Sequence, residues 1–263
     1  MRRPYIWTAI LALVVTAPTV LAQVHDLDEF LAGRSKNCPG CDLTGADLSR
    51  RDLSGANLSG AILVSTILFR TEFGGANLSG ANLVDAQASS ANFRDADLSN
   101  TLLHLANFYL ADLTNADLSE AYMEQGVLRR ARMQGANLER GFFLDTDFEG
   151  ARLGGAQFAG ANLSGSTLRD VRLSRVDLSG VGLEGADLTG AVLHGADLSG
   201  ANLKTADFFA ADLRDADLTA ADLRGARLEG ANMLGAALDN AKLTGTVMPD
   251  GNVFGEGAVV PGG

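Results

Sequence analysis

The 263-residue chain is 46% apolar and 20% charged, with a net charge of −11, which excludes a disordered polymer and leaves room for one sizeable core or two small ones. The acidic balance argues against nucleic acid or an anionic membrane surface as a direct partner, because both require a local excess of Lys and Arg. With 31 Gly beside 12 Phe, 3 Tyr and 1 Trp, an ordinary layered globule built on large side chains is also a poor fit, and a narrow core repeated many times is a better one.

Arg2 and Arg3 precede an uncharged apolar stretch from Tyr5 to Val15, followed by Pro18 and by small residues at Val20 and Ala22. That order predicts a secretory signal peptide over residues 1–22, with export to a periplasmic or extracellular space and no membrane span after cleavage. The competing reading is an uncleaved anchor, since the uncharged stretch approaches the length of a spanning helix. Export would place the remainder in an oxidising compartment.

Residues 23–40 are expected to form a helical cap and a cysteine turn. Asp26 is a candidate helix N-cap with Glu29 positioned to return the bond, and Gly33 is the stop signal. Leu27, Phe30 and Leu31 share one face, so the short helix has a stripe to bury and needs something to lid. In Cys38-Pro39-Gly40-Cys41 the Pro-Gly pair is a turn signal that draws two thiols together. The β pattern that follows Cys41 argues against a redox centre built on a helix N-terminus, and the lack of further cysteines argues against zinc. A structural disulfide between Cys38 and Cys41 is the reading retained.

From Cys41 the chain reads CDLTG ADLSR RDLSG ANLSG AILVS and keeps this phase to Met248. Every fifth residue from Leu43 to Met248 is Leu, Phe or Met, with the single exception of Ala88, and the residue two before it is usually Ala. A period of five matches neither helix nor ordinary strand, so the chain must turn once per unit. One large and one small side chain then point inward. If four units close a coil, residues twenty apart lie on one ladder and successive coils stack by β pairing. Ala88 leaves its layer underfilled unless Phe108 or another neighbour leans across. Residues 249–263 form a C-terminal tail outside the repeat.

The series A-(D/N)-L-(S/T)-G over residues 41–248 resembles the pentapeptide-repeat family. The resemblance implies an all-β fold, a right-handed quadrilateral β-helix, here with a short N-terminal capping helix. It implies no shared catalytic residues and no cofactor. Some acidic members of the family look like duplex DNA and shield DNA topoisomerases; the signal peptide stands against that alternative here.

The twenty-residue register exposes two unusual ladders. Just before the centre, where the repeat prefers Asp or Asn, one ladder reads Ile62, Asn82, Leu102, Tyr122, Phe142. Val64, Val84, Leu105 and Leu144 lie beside it, with Ile67, Phe69, Tyr109, Leu110 and Val127 round the corner. A contiguous apolar strip of this kind marks an interface, for a protein partner or for self-association as a homodimer. On the opposite side the same position reads Arg132, Arg152, Arg172. Stacked like charges need counter-charge, either from Asp145, Asp147, Glu149 and Asp170 or from an anionic ligand. Only His25, His104 and His194 are present, and no nucleophile, base and orienting group can be assembled, so the reading is a non-catalytic rod for protein contact or scaffolding.

Overall fold

A computed structural model describes residues 26–255. The expected signal peptide and the end of the C-terminal tail lie outside the described residues. Among these, no helix is long and apolar enough to cross a membrane.

Four sides per coil follow from the pairing, because Asp42, Asp47, Asp52 and Asn57 each bridge in parallel to the residue twenty further on, Ile62, Ile67, Glu72 and Asn77. Each layer donates downward and upward: the Ile62 amide reaches the Cys41 carbonyl at 2.8 Å, and the Leu43 amide reaches the Ile62 carbonyl at 2.7 Å. The corners are β-turns in which the centre's carbonyl accepts from the amide three residues on, as from Ala46 to Leu43 at 2.9 Å. Such a turn needs a left-handed residue in its third place, supplied by Gly45 at φ 68°. Non-glycine residues are held there too, including Leu105 and Leu110 at φ 59°. The stacked layers over-determine these corners and absorb a strain that an isolated turn would reject.

The Asp or Asn before each centre has a local task. Its Oδ1 accepts the amide hydrogen two residues ahead, as in Asp47 to Ser49 at 2.9 Å and Asn77 to Ser79 at 2.9 Å, tying the chain into the corner. Turn and Asx bond together leave little extended backbone. Most sides therefore contribute a single bridging residue in place of the continuous strands that an all-β reading suggests. Extension persists in β1 (Tyr122–Glu124) and β2 (Phe142–Leu144), which pair in parallel. Both carry an aromatic ring in the Asx position, and these rings lie 5.2 Å apart.

The same Asx bonds give the fold a predicted acid sensitivity. Hydrogen bonds from the Ser49 hydroxyl and amide hold the Asp47 carboxyl below its ordinary range, and Arg214 holds Asp212 down to about 2. A depressed folded-state pKa stabilises the fold fully above the unfolded value of about 3.9 and loses that contribution as pH falls through the folded value. The urea midpoint should therefore change little from about pH 7 to 5 and fall between about pH 4 and 2. A midpoint that rises on acidification below pH 4 would show that relief of net negative charge outweighs these bonds.

The interior is a set of parallel stacks. Phe73 lies beneath Phe93 with centroids 4.8 Å apart, and Phe93 meets the Phe108 ring at 5.3 Å. Phe108 belongs to the ladder of Ala88, and Ala88 itself is fully buried. Thr66, Thr71, Thr101, Thr146, Ser166 and Thr246 replace the small inward Ala, and each buried hydroxyl donates to a backbone carbonyl, as Thr71 does to Leu48 at 2.8 Å.

At the N-terminal end residues 26–31 form a helical turn, α1. Phe30 is wholly buried in the core cluster and Leu27 packs against it, whereas Leu31 is 50% exposed. Only part of the expected stripe is thus covered. Arg51 stacks over the Phe30 ring at 4.7 Å and donates to the Phe30 carbonyl at 2.6 Å. Cys38 and Cys41 are joined as a disulfide across a turn with Cα atoms 5.4 Å apart, closed by the Cys41 amide on the Cys38 carbonyl at 3.2 Å. At the other end Val253 pairs antiparallel with Val247, and Phe254 packs half-buried against the core.

Candidate interaction surfaces

Both unusual ladders are built by the register itself. Leu102, Tyr122 and Phe142 stand on consecutive layers, paired Leu102 to Tyr122 and Tyr122 to Phe142, and are 47%, 45% and 43% exposed. Because they replace Asp or Asn, no Asx bond folds them back along the chain. Ile62 is separated from them by Asn82, whose Oδ1 accepts the Val84 amide at 3.1 Å. The strip is therefore three continuous layers with an outlying Ile62, shorter than the five expected. Leu105, Ile67 and Leu110 are exposed around it, while Val64, Phe69, Val84, Tyr109, Val127 and Leu144 are half-buried. Arg70 lies over the Phe69 ring at 5.0 Å. His104 and Glu124, 3.8 Å apart, interrupt the strip with a polar pair.

Arg132, Arg152 and Arg172 also stand on consecutive layers. Arg132 faces Asp112 at 3.6 Å, but among the described residues no carboxylate pairs with Arg152 or Arg172. The counter-charge expected from Glu149 is directed elsewhere, to Arg129 at 2.6 Å, and Asp145, Asp147 and Asp170 form no ion pair among the described residues. Their side chains sit on other ladders.

Sequence reasoning missed a fault in the stack at this place. Among the described residues, the amides of Gly155, Phe158 and Gly160 lack the upward hydrogen bonds that their counterparts make elsewhere and that of Asp177 lacks the downward one, while Arg152 and Arg172 remain bridged through loosened bonds. Pairing is normal just before, from Gly150 to Arg169 at 3.0 Å, and resumes from Gly182 to Ala161 at 3.1 Å. Val171 and Val176 stand inward above Ala151 and Ala156 and are buried. The layers are loosened here. The result is a cleft of about 460 Å³ lined by Gln134, Arg152, Gly154, Asp170 and Arg172 among others. The Gln134 Oε1 atom is buried there without a hydrogen-bond partner. Three successive valines in the Ala position were the available signal.

Among the described residues, no group of His, Cys, Asp and Glu could hold a metal ion. No curated protein matches the chain. Among solved structures, it is similar to HetL, a pentapeptide repeat protein involved in heterocyst differentiation regulation from Nostoc sp. strain PCC 7120. The two are 32% identical over 87% of this chain and 97% of that one, with a TM-score of 0.32. It is also similar to QnrB1, a plasmid-mediated fluoroquinolone resistance protein, at 26% identity over 76% of this chain and 90% of that one, with a TM-score of 0.39. The family described as Pentapeptide repeats matches in 8 copies over residues 41–68, 66–104, 106–143, 143–180, 172–208 and 211–248. Its members fold as right-handed β-helices. With the five-residue period, the Asx-tied corners and the twenty-residue pairing all present, the chain belongs to the pentapeptide-repeat family.

Proposed function

We propose that this protein is a non-catalytic, exported rod that binds a protein partner through the apolar strip centred on Leu102, Tyr122 and Phe142. The observation that carries the reading is the exposure of these three large side chains on adjacent layers, where the repeat elsewhere places Asp or Asn. Burying them yields about 25 cal/mol per Å², whereas exposed ion pairs contribute about 0–1 kcal/mol. Export is supported by the signal-like order of residues 1–22 and by the Cys38–Cys41 disulfide. In this reading α1 serves as a cap, with Phe30 closing the first coil.

The test replaces Leu102, Tyr122 and Phe142 together by Asn. Each Asn can make the Asx bond that its unit now lacks, so the fold should survive unchanged or gain slightly. Partner capture from the native compartment and size-exclusion mass are then compared with the wild-type protein. Loss of capture supports the reading, and loss of a dimer instead assigns the strip to self-association. Association unchanged in the triple variant sinks it.

A topoisomerase-protecting DNA mimic is the second reading, and the aspartate ladder Asp177, Asp197, Asp217 favours it. Fractionation separates the two, because that role requires the protein in the compartment that holds DNA.

A further inference from the structure

The cleft at the loosened layers is independent of the apolar strip and has a chemistry of its own. Arg152 and Arg172 present two guanidinium groups one layer apart, without carboxylate partners among the described residues. Such a pair is self-repulsive until an anion lies between its members. An acceptor is present as well: the Gln134 Oε1 atom is buried in the cleft without a donor. Asp170 at the rim contributes one negative charge and pairs with neither arginine. Two guanidinium donors therefore stand on adjacent levels, with an uncharged acceptor in the same cleft. A planar carboxylate engages one guanidinium fork at one level and has no hydrogen to give Gln134. Sulfate spans two levels but also lacks a hydrogen. A hydrogen phosphate spans both levels and donates its own O–H.

We propose that the cleft between the coils carrying Arg152 and Arg172 is a binding site for a protonated tetrahedral oxyanion of the phosphate class, free or as a monoester. The two guanidinium groups hold its oxygens, and Gln134 Oε1 accepts its proton.

The test uses the full chain and titrates inorganic phosphate, sulfate and glycerol phosphate at constant ionic strength, followed by calorimetry and thermal shift. Saturable phosphate binding in the millimolar range is expected, tighter than sulfate. Arg152→Asn with Arg172→Asn should weaken it by at least about tenfold. Asn is the residue that the repeat itself uses at this position, so circular dichroism should show that variant folded. Gln134→Leu should erase the preference for phosphate over sulfate while leaving sulfate binding in place. Glycerol phosphate matching phosphate assigns the site to monoesters, and its failure beside phosphate binding assigns it to the free ion. No saturable binding by the wild-type protein overturns the proposal, as does equal phosphate binding by the folded double-arginine variant.

Discussion

Replacing Leu203 by Ala is expected to destabilise the protein by about 2–5 kcal/mol. Leu203 is fully buried, with Leu183 and Leu223 directly below and above it in the same stack, both also buried. The backbone on both sides is pinned by ladder bonds such as the Leu203 amide to the Asp222 carbonyl at 2.9 Å, so the layers cannot collapse onto the missing atoms. A cavity remains, and its cost adds to the lost transfer energy. The same change at Leu238, half-buried in the last coil, removes less buried surface and should cost about 1 kcal/mol. Urea unfolding followed by circular dichroism measures both. In a solenoid each coil touches only its neighbours, so a terminal lesion can fray one end while a central one severs the stack. A loss below about 0.5 kcal/mol for Leu203→Ala, the range of an unremarkable surface change, would contradict its inward stacking.

Replacing Gly141 by Ala should also be costly, although Ala is the commonest residue at that position of the repeat. A Cβ built on Gly141 would lie 2.4 Å from Cε2 of Phe143 and 3.2 Å from the Leu138 carbonyl oxygen. Phe143 is fully buried and its ring meets Phe148 at 5.9 Å, so it has little space into which to retreat. Overpacking of this kind costs about 1–3 kcal/mol. Gly200→Ala is the control: nothing lies within 4 Å of its added Cβ, and only the left-handed backbone at φ 65° is strained, at about 1 kcal/mol. Combining Gly141→Ala with Phe143→Leu restores the commoner Ala and Leu pairing and should recover most of the loss. That recovery is a coupling that a double-mutant cycle reads directly. Simple additivity of the two changes would show that the clash is not the cause.

Much of the architecture was legible before any coordinates, because a repeat states its own environment many times. Leu or Phe at every fifth position and Ala two before it could only be the inward pair of a chain that turns once per unit. The spacing of Cys38 and Cys41 likewise pointed to the observed bridge. The twenty-residue register also placed Leu102, Tyr122 and Phe142 on one line, and Arg132, Arg152 and Arg172 on another, as the bridges later place them.

What the sequence could not decide are the features that depend on distances between layers. The Asx bond explains the preference for Asp or Asn, yet its consequence, that most sides keep only one bridging residue, emerges from turn and side chain competing for the same short stretch of backbone. Nor could spacing alone show that Glu149 is directed to Arg129, or that Asp170 lines the cleft beside Arg152 and Arg172 without pairing with either. The cleft is the clearest case. Val171 and Val176 are unexceptional substitutions in a linear reading, but they stand over Ala151 and Ala156 where the pairing between layers weakens. Period and polarity are local properties that a sequence records by itself. Whether two layers touch or part is decided only when side chains twenty residues apart compete for one volume.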